Sequence, residues 1–179
     1  DPRDMVISGY FYHLWTTEKW AHVPGRMDEK DWCRPEWKGW TYHDILNSLD
    51  QEEGLATEIE RASAGVFHRM NAWDYQDERF WEMKYREVIA DEYAAFGALF
   101  RHYGFNDEAV AAAVEIARQF SFKNVTKRAV GEKSGKKSHL RSGRPGEWQE
   151  YFSPALRSLF EARNPGMLIK LGYETSTSW

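Results

Sequence analysis

The chain has 179 residues, a net charge of −4, 16% aromatic side chains including nine tryptophans, and one cysteine, Cys33. This length fits a single domain spanning 1–179 with a core of its own, and so much aromatic surface excludes a disordered chain. A lone cysteine excludes an internal disulfide, and no apolar run reaches the ~18 residues of a membrane span. No signal peptide opens the chain, and a reduced thiol suits a reducing compartment, so a cytoplasmic protein is expected. His22 and His43 flank Cys33 at no metal-ligand spacing, and no metal is expected.

Asp1 as N-cap, Pro2 at the first helical position and Asp4 in the first turn start a helix. A helix that opens on the first residue implies that sequence upstream of it has been cut away. Residues 13–40 hold Trp15, Trp20, Trp32, Trp37 and Trp40, with breaks at Pro24-Gly25 and Arg34-Pro35, and read as an irregular aromatic segment. Tyr42, Ile45, Leu46 and Leu49 recur at helical intervals. A second stripe of Ile59, Ala62, Val66, Phe67 and Met70 predicts a helix over 58–70. His68 within it reads as a surface or packed histidine.

Residues 80–88, from Phe80-Trp81 to Val88, alternate in part and predict a strand. Asp91 then introduces a helical stripe through Tyr93, Phe96, Leu99 and Phe100 that ends at Gly104. A strand, a short loop and an amphipathic helix follow the pattern of an α/β fold. Asn106-Asp107-Glu108 caps and charges another helix, with Val110, Ala113, Val114, Ala117 and Phe120 on one face. Near the end, Ser153 and Pro154 start a helix through Leu156, Leu159 and Phe160. Asn164-Pro165-Gly166 breaks it before a short final helix closed by Gly172.

Between these elements lies a strongly basic stretch. Residues 123–144 hold eight cations (Lys123, Lys127, Arg128, Lys133, Lys136, Lys137, Arg141 and Arg144) against one acid, Glu132. That is a local charge of +7, which leaves −11 for the rest. Gly143 and Gly146 free the backbone so that main-chain N–H groups can approach an anion, and arginine grips phosphate through a two-pronged fork. Charge alone leaves two readings open: an anion site, or a solvated basic loop.

His139-Leu140-Arg141-Ser142-Gly143-Arg144-Pro145-Gly146-Glu147-Trp148, followed by Tyr151-Phe152-Ser153, resembles the C-terminal signature of the sulfotransferases that use 3′-phosphoadenosine 5′-phosphosulfate. That signature reads Arg-Lys-Gly, two residues, Gly-Asp/Glu-Trp, then Phe-Thr/Ser. Ser142 stands where most members carry lysine. Asp1-Pro2-Arg3-Asp4-Met5-Val6-Ile7-Ser8 is similar to a second family segment, in which an arginine before Asp-Pro and a serine seven residues after the aspartate bind the 3′-phosphate. Ser8 matches that serine, and the arginine would precede Asp1. Met83-Lys84-Tyr85-Arg86-Glu87 resembles the segment whose tyrosine lies against the adenosine. Ser121-Phe122 resembles the element whose aromatic packs on adenine.

The resemblance covers nearly the whole chain and implies the helix-rich part of a P-loop-like, three-layer α/β fold with a parallel sheet. It implies a sulfotransferase moving a sulfuryl group from 3′-phosphoadenosine 5′-phosphosulfate to a hydroxyl or amine of a small-molecule, glycan or lipid acceptor. Ser8, Arg141, Ser142 and Gly143 would hold the 3′-phosphate, and Tyr85 and Phe122 would line the adenosine. The family's phosphosulfate-binding loop and catalytic base belong to an N-terminal part with no counterpart here, so the chain reads as the C-terminal portion of a longer enzyme with its catalytic residue unassigned. His139, with no visible orienting carboxylate, is not promoted to that role. The alternatives are a non-catalytic module that binds nucleotide or polyanion through residues 123–144, and a scaffold-like relative without turnover. Nucleic acid is not expected, because the basic loop lacks interleaved aromatics.

Overall fold

The computed structural model describes residues 1–134 and 137–179, so Lys136 of the basic stretch lies outside the described residues. The helices are α1 (Pro2–His13), α2 (Tyr42–Ser48), α3 (Gln51–Ala62), α4 (His68–Ala72), α5 (Tyr85–Ala90), α6 (Glu92–His102), α7 (Asp107–Gln119), α8 (Phe122–Thr126), α9 (Pro154–Arg163) and α10 (Met167–Lys170). They form two compact units. A core unit comprises Pro2–Trp73 and Gly146–Trp179, and a hairpin unit comprises Asp74–Pro145 with Asp1.

The expected parallel sheet is absent among the described residues. The structure is 57% helix, with no strand among the described residues, so the α/β and P-loop-like description is corrected to an all-helical one. Residues 80–88, expected as a strand, are irregular up to Lys84 and then turn into α5. Phe80 and Trp81 are exposed, and the Phe80 amide closes a turn on the Asp77 carbonyl. Partial alternation makes a strand only when a neighbouring strand takes up its backbone groups, and here no extended partner is present among the described residues.

In the core unit α1, α2, α3 and α9 bury Val6, Ile7, Tyr10, Tyr42, Ile45, Leu46, Leu55, Ile59, Leu156 and Phe160. Local signals explain most helix starts. Thr41 accepts the Asp44 amide at 3.0 Å, and Ser153 accepts the Leu156 amide at 3.2 Å with Pro154 at the first position. The helix expected over 58–70 begins earlier, at Gln51, because Asp50 caps it by accepting the Glu53 amide at 2.9 Å. A π-helical turn over Ser63–Phe67 carries it on into α4. Residues 13–40 are irregular, as expected, with two short 3-10 turns, and Trp32 and Trp37 are buried in the core. Asp4 ties distant chain together by accepting the Gly146 amide at 2.7 Å and the Trp148 amide at 3.0 Å. Beside it Arg3 is sandwiched between the Trp148 and Trp179 rings, 3.8 and 4.7 Å from their centroids, and ion-pairs with Glu174.

In the hairpin unit α6 and α7 pack on each other around Gly97, Val110 and Val114, joined by a turn through Gly104. Asp91 and Asn106 cap the two helices through the Ala94 and Ala109 amides. Then α8 leads into the basic stretch, with Ser121 as its cap. No helix among the described residues is long and apolar enough to cross a membrane.

Candidate functional site

Five of the six residues that the motif resemblance singles out lie in the hairpin unit, and four of them meet at one turn. Gly143 takes φ of +65°, a backbone conformation open to glycine and strained for side chains. A Cβ at this position would stand 2.8 Å from two carbons of the Phe122 ring, so only a glycine lets the ring lie against the turn. On the Gly143 carbonyl, 58 residues away in sequence, the Tyr85 hydroxyl donates a 2.9 Å hydrogen bond. Ser142 is buried and its carbonyl accepts the Gly131 amide at 2.8 Å. Arg141, the fifth, is half-buried, and its carbonyl accepts the Ser134 amide at 2.8 Å.

The two aromatics differ in what they present. Tyr85 is 48% exposed beside the turn. Phe122 is 9% exposed, buried under the turn as the first residue of α8. The sixth residue, Ser8, is exposed on α1 and belongs to the core unit.

In the sequence Arg128 is one charge among eight, and the structure gives it a particular task. Its guanidinium donates to the carbonyls of Glu132, Leu140 and Arg141, the last at 2.8 Å, and its Cζ lies 5.3 Å from the centre of the Phe122 ring. One planar fork thus joins both limbs of the basic stretch. Lys127 just before it is held in the left-handed region at φ of 59°, which costs on the order of 1 kcal/mol for a side chain other than glycine. This left-handed residue is the C-cap at which α8 ends and the chain changes direction.

A second polar constellation, in the core unit, has no motif to announce it. The Glu58 carboxylate is fully buried and accepts four donors. The Tyr42 hydroxyl (2.5 Å) and His13 Nδ1 (2.9 Å) reach Oε2, while Arg61 Nε (3.1 Å) and Nη2 reach Oε1. Burial alone would raise the Glu58 pKa. The His13 hydrogen bond and the Arg61 guanidinium outweigh it and hold the carboxyl below its ordinary value. Burial and the Glu58 charge push the Tyr42 hydroxyl well above the usual tyrosine range. The backbone of α1 comes so close that a Cβ at Gly9 would lie 2.7 Å from Glu58 Oε1. With both carboxylate oxygens engaged twice, this network holds α1, α2 and α3 together. Only the Glu58–Arg61 step of three residues is visible in the sequence, as a helical ion pair.

The hairpin unit thus combines a glycine turn with anchored carbonyls, cations along the same stretch of chain and an exposed ring, the chemical elements of an anion site. No family model, curated protein or solved structure matches the chain.

Proposed function

We propose that the chain is part of a sulfotransferase that uses 3′-phosphoadenosine 5′-phosphosulfate, with the Arg141–Gly143 turn gripping the 3′-phosphate. One observation carries the reading. Tyr85 and Phe122, which the motif resemblance assigns to the same nucleotide as Gly143, both lie against Gly143 although they are far from it in sequence. Independent residues of a basic loop have no reason to converge in this way. The reading rests on these residues and not on the fold, which is helical. The exposed Tyr85 ring is the flat surface for the adenine, and buried Phe122 props the turn. Ser142 brings no charge in place of the family's lysine; its buried hydroxyl accepts the Arg144 amide at 3.4 Å and so braces the turn.

In the reaction the acceptor oxygen or nitrogen forms a bond to sulfur as the bridging bond between sulfur and the 5′-phosphate breaks. The acceptor proton goes to a base, and 3′-phosphoadenosine 5′-phosphate leaves with the electron pair of the broken bond. The Arg141–Gly143 turn holds the distal end of that leaving group, which fixes the donor for in-line transfer. A cytoplasmic enzyme acting on a small-molecule, glycan or lipid acceptor belongs to the same reading, and its half-buried free thiol at Cys33 suits a reducing compartment.

A non-catalytic polyanion binder is the competing reading, favoured by the +7 charge of residues 123–144. Thermal unfolding with 3′-phosphoadenosine 5′-phosphate and, separately, with short single-stranded DNA distinguishes the two. Ligand at a hundredfold its Kd adds about 2.7 kcal/mol of stability. Stabilisation by the nucleotide and not by DNA is expected. The reverse result, or equal stabilisation by both, assigns the loop to polyanion binding.

A further inference from the structure

We infer that Arg128 is the positioning residue of the phosphate-gripping turn: it sets the direction of the peptide groups that meet the anion without itself being the ligand's cation. The inference rests on the proposed nucleotide reading of this turn. It begins from the peptide planes. The peptides of the turn are trans, so each carbonyl points opposite to the N–H of the next residue. With the Leu140 and Arg141 carbonyls fixed on the Arg128 guanidinium, the Arg141 and Ser142 amides are turned away from it. The next two carbonyls are anchored as well, that of Ser142 by the Gly131 amide and that of Gly143 by the Tyr85 hydroxyl. Four consecutive carbonyls, from 140 to 143, are therefore bound within the hairpin unit. Of the amides that follow them, that of Arg144 donates to the Ser142 hydroxyl at 3.4 Å, and those of Arg141, Ser142 and Gly143 have their directions set before any ligand arrives. Orienting dipoles in advance is what makes a backbone anion site effective, because binding then requires no reorganisation.

The task fits arginine alone. A planar guanidinium has five N–H donors in a rigid fork and can serve three carbonyls at once, whereas a lysine ammonium carries the same charge on a flexible stem. The cation is also committed. Its donors face the carbonyls of Glu132, Leu140 and Arg141, and its carbon lies near the Phe122 ring that supports Gly143. Arg128 therefore connects both supports of the turn, the bound carbonyls and the ring beneath.

The test is Arg128→Lys, which keeps the charge and removes the fork. Titration calorimetry measures the affinity for 3′-phosphoadenosine 5′-phosphate and for adenosine 5′-phosphate, which lacks the 3′-phosphate. In the substituted protein the first affinity falls tenfold or more, toward that of adenosine 5′-phosphate, while the second stays within about twofold of the unsubstituted protein. A merely structural role would lower both together, and that outcome overturns the inference, as does an unchanged affinity for the bisphosphate. If the unsubstituted protein does not prefer the bisphosphate, the nucleotide reading itself fails and the inference falls with it. A second measurement needs no substitution. In amide spectra of the unsubstituted protein, the Arg141, Ser142 and Gly143 resonances shift with 3′-phosphoadenosine 5′-phosphate and stay in place with adenosine 5′-phosphate. Resonances that do not move with the bisphosphate overturn the assignment even if the lysine variant fails to fold.

Discussion

The two units solve the problem of holding a shape in opposite ways. The core unit buries aromatic and aliphatic side chains from α1, α2, α3 and α9 and surrounds the buried Glu58 carboxylate with four donors. In the hairpin unit, Val110 and Phe122 are the buried apolar side chains among the described residues, and Tyr103, Phe105, Ile116 and Phe120 remain exposed. Its basic turn is held by hydrogen bonds to carbonyls and by one ring, with little packed core beneath. Substitutions in the core unit should therefore act on stability, and substitutions at the turn should act on ligand affinity.

The largest expected effect lies in the core unit. Glu58→Gln removes the charge that faces Arg61 and His13 and leaves the partly buried guanidinium without its counter-ion. Breaking a buried pair from one side costs about 3–5 kcal/mol. Denaturant unfolding followed by tryptophan fluorescence should show a loss of this size. A loss under about 1 kcal/mol would mean that the network is solvent-screened and that the contrast between the units is false.

The next effect is smaller and falls elsewhere. Gly143→Ala forces a side chain into a left-handed backbone and against the Phe122 ring, a local strain of about 1–3 kcal/mol. Hydrogen exchange should lose protection around residues 128–134 and 140–144 while α1 and α3 keep theirs, and affinity for 3′-phosphoadenosine 5′-phosphate should drop. Deprotection that spread through α1 and α3 would show that the two units stand or fall as one.

The smallest effect is a pH dependence of the core unit. The folded Glu58 pKa lies below its unfolded value of about 4.3, so its contribution is fully present above that value and is lost as pH falls through the folded one. Tyr42 has the opposite sign. Its folded pKa is raised, so its contribution holds below pH ~10 and fades as the unfolded hydroxyl ionises above that. Unfolding free energy should therefore be level at neutral pH and fall on both sides, and Glu58→Gln should flatten the acid limb. An acid limb unchanged by that substitution would remove Glu58 from the account.

The features legible in the sequence are those decided within one turn of chain. Asn106, Ser153 with Pro154, and Gly104 mark helix ends where capping chemistry predicts them, because a cap bonds to an amide three residues away. The Asp50–Glu53 start of α3 carries the same kind of signal, and the apolar stripe that follows it masks that start. The strand expected at 80–88 does not form because alternation states only a preference for which face is buried, and a partner segment must realise it. At the candidate site, motifs point to Tyr85, Phe122 and Gly143. The task of Arg128 is invisible in the sequence, because a count of charges cannot say which carbonyls a guanidinium will meet.

By itself the sequence determined that the chain is aromatic-rich and core-forming, where several of its helices cap, and that its positive charge gathers in one glycine-bearing stretch. Only the tertiary structure decided that the described helices stand without a sheet, that Glu58 is the buried centre of the core unit, and that Tyr85 and Phe122 close on Gly143. The division follows from range. Caps and turns are bonds between near neighbours along the chain, whereas ladders, buried ion pairs and close ring contacts join residues that meet only after the chain has folded.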